Sequence, residues 1–123
     1  MASVFRELVI DSNDPARLAA FWSDVLGWTA VADEDGDFWM SSSGAPDDPG
    51  PVLVFVAVPE PKAVKNRIHI DLNPSGCDQD AELQRLLALG AQPADVGQGE
   101  QSWVVLADPE GNEFCLLARR IDR

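Results

Sequence analysis

Histidine is nearly missing from this 123-residue sequence: His69 is the only one, so any chemistry that needs an imidazole must use it. Cysteine is scarce as well. Cys77 and Cys115 stand too far apart for a metal knuckle and are too few for a disulfide framework, so both read as reduced thiols. Basic residues number 9 against 21 acidic ones, and the formal charge of -12 repels nucleic acid and anionic membrane surfaces. No apolar run reaches the roughly 18 residues that span a bilayer. The opening MASVFRELVIDS lacks the basic segment followed by an apolar one that a secretory leader has. The expectation is a cytoplasmic protein that binds neither nucleic acid nor membrane, with 46% hydrophobic residues, enough for the core of a single domain over residues 1–123.

What is present is a set of short periodic segments. VFRELVID at 4–11 alternates like a strand, with Leu8 and Ile10 on one face and Glu7, Val9 and Asp11 on the other. Asp14 followed by Pro15 is the start of a helix with Leu18, Phe21, Trp22, Val25 and Leu26 at helical spacing, and Gly27 is its left-handed end. Residues 28–32 and 38–42 read as short strands around a DEDGD turn, 44–51 as a breaker-rich loop, and 51–58 as the strongest strand. NRIHIDLNP at 66–74 alternates again and places His69 on a face with Arg67 and Asp71. A helix with the stripe Leu83, Leu86 and Leu87 follows, ending at Gly90. A weak strand near residues 91–95, a good one at 102–107, a DPEGN turn and a last strand EFCLLA complete the chain.

The order strand, helix, three strands is thus written twice, in units of about 3–60 and 65–120. Glu7 overlays His69, Gly27 overlays Gly90 and Trp39 overlays Trp103 at a nearly constant offset. This predicts an α+β fold of two βαβββ units that form one curved mixed sheet around a cleft, with the helices outside. By alternation, Glu7 and His69 fall at equivalent places of that cleft, and Glu113 and Cys115 share one face of the last strand.

The helix DPARLAAFWSDVLGW after its opening strand, the segment VPEPKAVKNRIHIDLNP and the closing WVVLADPEGNEFCLL together resemble the vicinal oxygen chelate superfamily, in particular its small glyoxalase-like and bleomycin-resistance-like members. The resemblance covers essentially the whole chain and implies the glyoxalase-like fold and a homodimer. It does not choose an activity, since the superfamily includes lyases, epimerases, dioxygenases and antibiotic-binding proteins. Its metal-using members hold the ion from four strands. Carried over, those positions fall on Glu7, on Val54 or Val56, on His69 and on Cys115, with Glu113 two residues earlier on the same face.

Two classes of function are therefore expected ahead of a third, a regulatory or structural subunit with no ligand. In the first, the cleft binds or sequesters a small organic molecule without metal, with Trp39, Trp103 and Phe55 as an aromatic slot beside Cys115, and Arg67 and Lys65 for an anionic group. In the second, the protein is a lyase or isomerase of glyoxalase type. Glu7 and His69 then act as an acid/base pair, with or without one divalent metal held by Glu7, His69 and Cys115 or Glu113. Read without the resemblance, the same residues equally describe a hydrogen-bonded structural histidine, core tryptophans and a thiol packed as a small hydrophobe.

Overall fold

The structure, a computed structural model, describes residues 1–122. The chain folds as two compact units, Met1–Pro61 and Lys62–Arg123, each a strand, a helix and three further strands. In the first unit these are β1 (Leu8–Ser12), α1 (Pro15–Leu26), β2 (Val31–Ala32), β3 (Phe38–Ser41) and β4 (Val52–Ala57). They form a four-stranded sheet of order β1-β4-β3-β2, in which only the β1–β4 pair is parallel.

Local chemistry sets the ends of α1. The Asp14 carboxylate accepts the Arg17 N–H at 3.2 Å, Pro15 needs no N–H at the first position, and Gly27 closes the helix at φ 70° with its N–H on Ser23 O. Leu18, Phe21, Trp22 and Val25 are the buried stripe. They meet the sheet face that carries Met40, Leu53 and Phe55, brought level by the pairs Met40–Leu53 and Ile10–Phe55. Full burial of side chains such as Leu18 and Phe55 contributes about 1.5–3 kcal/mol each. The opening strand is shorter than its alternation predicts. Leu8 pairs with Leu53, one place inside the start of β4, so Val4 and Phe5 have no β4 residue opposite them and stand exposed.

The second unit repeats the order: β5 (Asp71–Leu72), α2 (Gln79–Leu89), β6 (Gln92–Pro93), β7 (Val104–Ala107) and β8 (Glu113–Leu116), in a sheet β5-β8-β7-β6 with β5 parallel to β8. Asp78 caps α2 by accepting the Ala81 N–H at 2.9 Å, and Gly90 ends it at φ 117°. Leu86 is fully buried. Glu82 is buried beside it, held by two contacts from the Arg85 guanidinium at 2.7 and 2.9 Å, a bidentate pairing that lets a carboxylate sit on the inner face. The β7–β8 turn is organised by Asp108, 4% exposed, whose carboxylate accepts the N–H groups of Glu110 and Asn112.

The strand expected over 66–74 is reduced to Asp71–Leu72. Ladder bonds from Cys115 N–H to Ile70 O and from Leu117 N–H to Leu72 O extend it slightly. Further back, the Asn66 side chain donates to the Glu113 carbonyl at 3.3 Å, which takes the acceptor a continuing ladder would use. Among the described residues, no helix is long and apolar enough to cross a membrane.

Candidate functional site

Register assembles the site in the second unit. The β5–β8 ladder sets Asp71 opposite Cys115, and the β7–β8 ladder sets Val105 opposite Cys115 and Ala107 opposite Glu113. Phe114 and Leu116, 1% and 0% exposed, point into the core, so Glu113 and Cys115 point the other way. There, with Val96 and Gln98 from the preceding loop and Lys65 from the other side, they wall a pocket of about 450 Å³. Trp103, Val105 and Leu117 supply apolar surface, and His69, Asp71 and Cys115 bring donor atoms to it. Trp103 is 38% exposed, so its ring is open to an incoming molecule.

His69 Nε2 lies 3.2 Å from Asp71 Oδ1, and both side chains are about half exposed. The donor atoms of His69, Asp71 and Cys115 all fall within 4.8 Å of one another. Burial, then the charge of Asp71 and a hydrogen bond to it, push the Cys115 thiol up from its ordinary value, while Lys65 works weakly against them. At neutral pH, Cys115 is therefore a protonated donor rather than a nucleophile.

Glu113 is differently placed. Burial disfavours its charge, but the hydrogen bond and charge of Lys62, 2.8 Å away, and the Asn66 N–H at 3.1 Å outweigh it and hold the carboxyl below its usual value. Its Oε1 is committed to the segment that precedes His69.

Of the residues singled out in the sequence, His69, Cys115, Trp103, Glu113 and Lys65 meet at this pocket. Arg67 does not line it, a correction that follows from the early end of β5: residues 66–69 leave the strand, so alternation no longer carries Arg67 to the face of His69 and Asp71. Phe55 needs correcting too. It is 0% exposed on the α1 side of the first sheet, part of the core and inaccessible to a ligand. Glu7 belongs to the first unit, with Arg6 at 3.3 Å, and Trp39 sits half-buried on β3 between Val31 and Val54. Asp71 was not among the expected ligand or catalytic residues. The signal for it was present, since it alternates with His69, but the register that sets it against Cys115 is not a local property.

The ligand set implied by the resemblance does not fit a hard divalent ion. Val54 and Val56 carry no donor atom, and Cys115 offers sulfur where oxygen or nitrogen would be needed.

Comparison with known proteins gives a match to the glyoxalase-like domain family over residues 7–117. No curated protein matches the sequence. Among solved structures, the chain is similar to a hypothetical protein from S. aureus at 11% identity, covering 97% of this chain and 96% of that one with a TM-score of 0.68. It is also similar to the fosfomycin resistance protein FosX from Mesorhizobium loti at 15% identity, covering 95% and 92% with a TM-score of 0.68. A FosX variant from Listeria monocytogenes, complexed with Mn(II) and 1S,2S-dihydroxypropylphosphonic acid, is similar at 16% identity, covering 96% and 91% with a TM-score of 0.67. At these identities the likeness is one of fold.

Proposed function

The chain belongs to the glyoxalase-like domain family of the vicinal oxygen chelate superfamily, and from that premise we propose that it binds a small organic molecule in the pocket of its second unit. The observation that carries this is the pocket itself: about 450 Å³, lined by a half-open Trp103 and by the His69–Asp71 pair. That volume lies in the range of about 300–1,000 Å³ typical of small-molecule sites, and the mixture of an apolar wall with few polar groups is what such sites use. Aromatic area supports affinity and the polar groups support orientation.

Charge narrows the class. Asp71 and Glu113 face a single lining lysine, Lys65, so a dianionic phosphonate like the one in the Listeria complex would find no net positive charge here. The reading favours a largely apolar molecule that is neutral or carries one charge, with a hydrogen-bonding end for His69 and Asp71.

One contact favours a second reading, a lyase or isomerase of glyoxalase type. A carboxylate 3.2 Å from an imidazole nitrogen orients the ring, as an acid/base residue requires. His69 would then move the proton, with Asp71 as its partner within the unit.

The test is a panel of neutral aromatic, cationic and phosphonate compounds, read by melting temperature and tryptophan fluorescence. A ligand at about 100 times its Kd should add about 2.7 kcal/mol of stability. Its quenching should largely vanish in Trp103→Phe, while Trp22, 2% exposed, serves as an internal emitter that does not respond. Equal quenching in Trp103→Phe, or a panel in which only phosphonates bind, would sink this reading.

A further inference from the structure

We infer that His69, Asp71 and Cys115 bind a thiophilic divalent cation of the zinc class, held entirely within the second unit. The inference deepens the proposed pocket, since the trio forms part of its wall, and it concerns an ion different in kind from the hard one that the four-strand ligand set fails to accommodate.

Geometry is the first support. Bonds of about 2.0–2.3 Å place donor atoms around one ion about 3–4 Å apart. The three donors here are already within 4.8 Å of one another, and His69 Nε2 and Asp71 Oδ1 are 3.2 Å apart. Closing the remainder needs only rotation of His69 and Asp71, whose side chains are 47% and 49% exposed and so free to turn. Cys115 need not move. The ladder bonds Cys115 N–H to Ile70 O at 3.0 Å and Leu117 N–H to Leu72 O at 2.7 Å hold its strand against that of Asp71.

Donor chemistry is the second. One imidazole, one carboxylate and one sulfur suit zinc, whereas magnesium and manganese prefer an all-oxygen or oxygen-rich shell. Three protein ligands leave a fourth position, and the trio borders the pocket, so an organic ligand or water would complete the shell. At Glu113, Oε1 is already engaged by Lys62 and the Asn66 N–H and the backbone carbonyl by the Asn66 side chain, so it is the weaker candidate for that position. On binding, the Cys115 S–H bond breaks and its proton passes to solvent as the metal–sulfur bond forms; no electron is transferred.

The experiment uses the full chain, stripped with a chelator and titrated with cobalt(II) and, against a chromophoric chelator, with zinc. Expected are one ion per chain and a thiolate-to-cobalt charge-transfer band that disappears in Cys115→Ser. Asp71→Asn and His69→Ala should each weaken zinc by more than the ~10–100-fold typical of losing a merely supporting residue, and Glu113→Gln by less. Far-ultraviolet circular dichroism checks that each variant is folded. In the wild type, with no substitution at all, zinc should slow alkylation of Cys115 relative to Cys77. The inference is overturned if wild-type protein shows no charge-transfer band, if Cys115→Ser holds zinc as tightly as wild type, or if Glu7→Gln or Glu113→Gln costs as much as Asp71→Asn, which would return the ion to the four-strand set. Repeating the organic-ligand panel with chelator present reads the pocket without the ion, so failure of the metal site and failure of the small-molecule reading give different results.

Discussion

Glu113 is pulled in two directions, since burial disfavours its charge while Lys62 and Asn66 stabilise it, and the partners win. Glu113→Gln would keep the shape but leave the Lys62 ammonium, only 21% exposed, without its counter-charge. Loss of a charged hydrogen bond of this kind should cost about 1–3 kcal/mol in urea unfolding. Stability within a few tenths of a kcal/mol of wild type would show that the contact is only incidental. At this scale, much of the site was legible. His69 stood out because nothing else carries an imidazole, and Cys115 because alternation turned it away from Phe114 and Leu116. Phe55 and Arg67 were misplaced for two physical reasons. Alternation says which residues share a face but not which face a helix covers, and it holds only while the backbone stays extended.

Among the elements, those whose ends are set by local chemistry were the easiest to read. Asp14, Pro15 and Gly27 bound α1, and Asp78 and Gly90 bound α2, because caps act over one turn of chain. The loop at 42–50 is held as locally, with the Asp48 carboxylate as one of its anchors. Hydrogen bonds from Ser43, from the Gly50 N–H at 2.6 Å and from Ser42 lower the Asp48 carboxyl from 3.8 to about 2. A lowered folded value means that the contribution is whole above 3.8 and is lost as pH falls through about 2. In an acid titration by NMR, the Ser43 and Gly50 amide resonances should therefore keep their native positions to about pH 3.8 and shift with a midpoint near 2. A midpoint near 3.8 would mean that the loop does not hold the carboxylate. The strands were harder. β5 is only two residues long, and the Glu113 carbonyl before it on β8 accepts from the side chain of Asn66, an ordinary polar residue in the sequence.

For the whole molecule, charge is the dominant global term: 21 acidic against 9 basic residues repel one another in any compact state. Melting temperature should rise as sodium chloride goes from about 10 mM to about 150 mM, over which the screening length falls from about 30 Å to about 8 Å. A flat or falling curve would mean that specific ion pairs such as Lys62–Glu113 outweigh the net repulsion. The doubled βαβββ plan, the helices and the turns were all determined by the sequence alone, because each rests on periodicity or capping, which neighbouring residues establish. The tertiary structure alone decided that Asp71 stands opposite Cys115, that Glu113 is tied to Lys62 and Asn66, and that Trp103 lines the same pocket as His69 and Asp71. These depend on the register between strands distant in sequence. Register is chosen by how the whole unit buries its core, and no single segment contains that information.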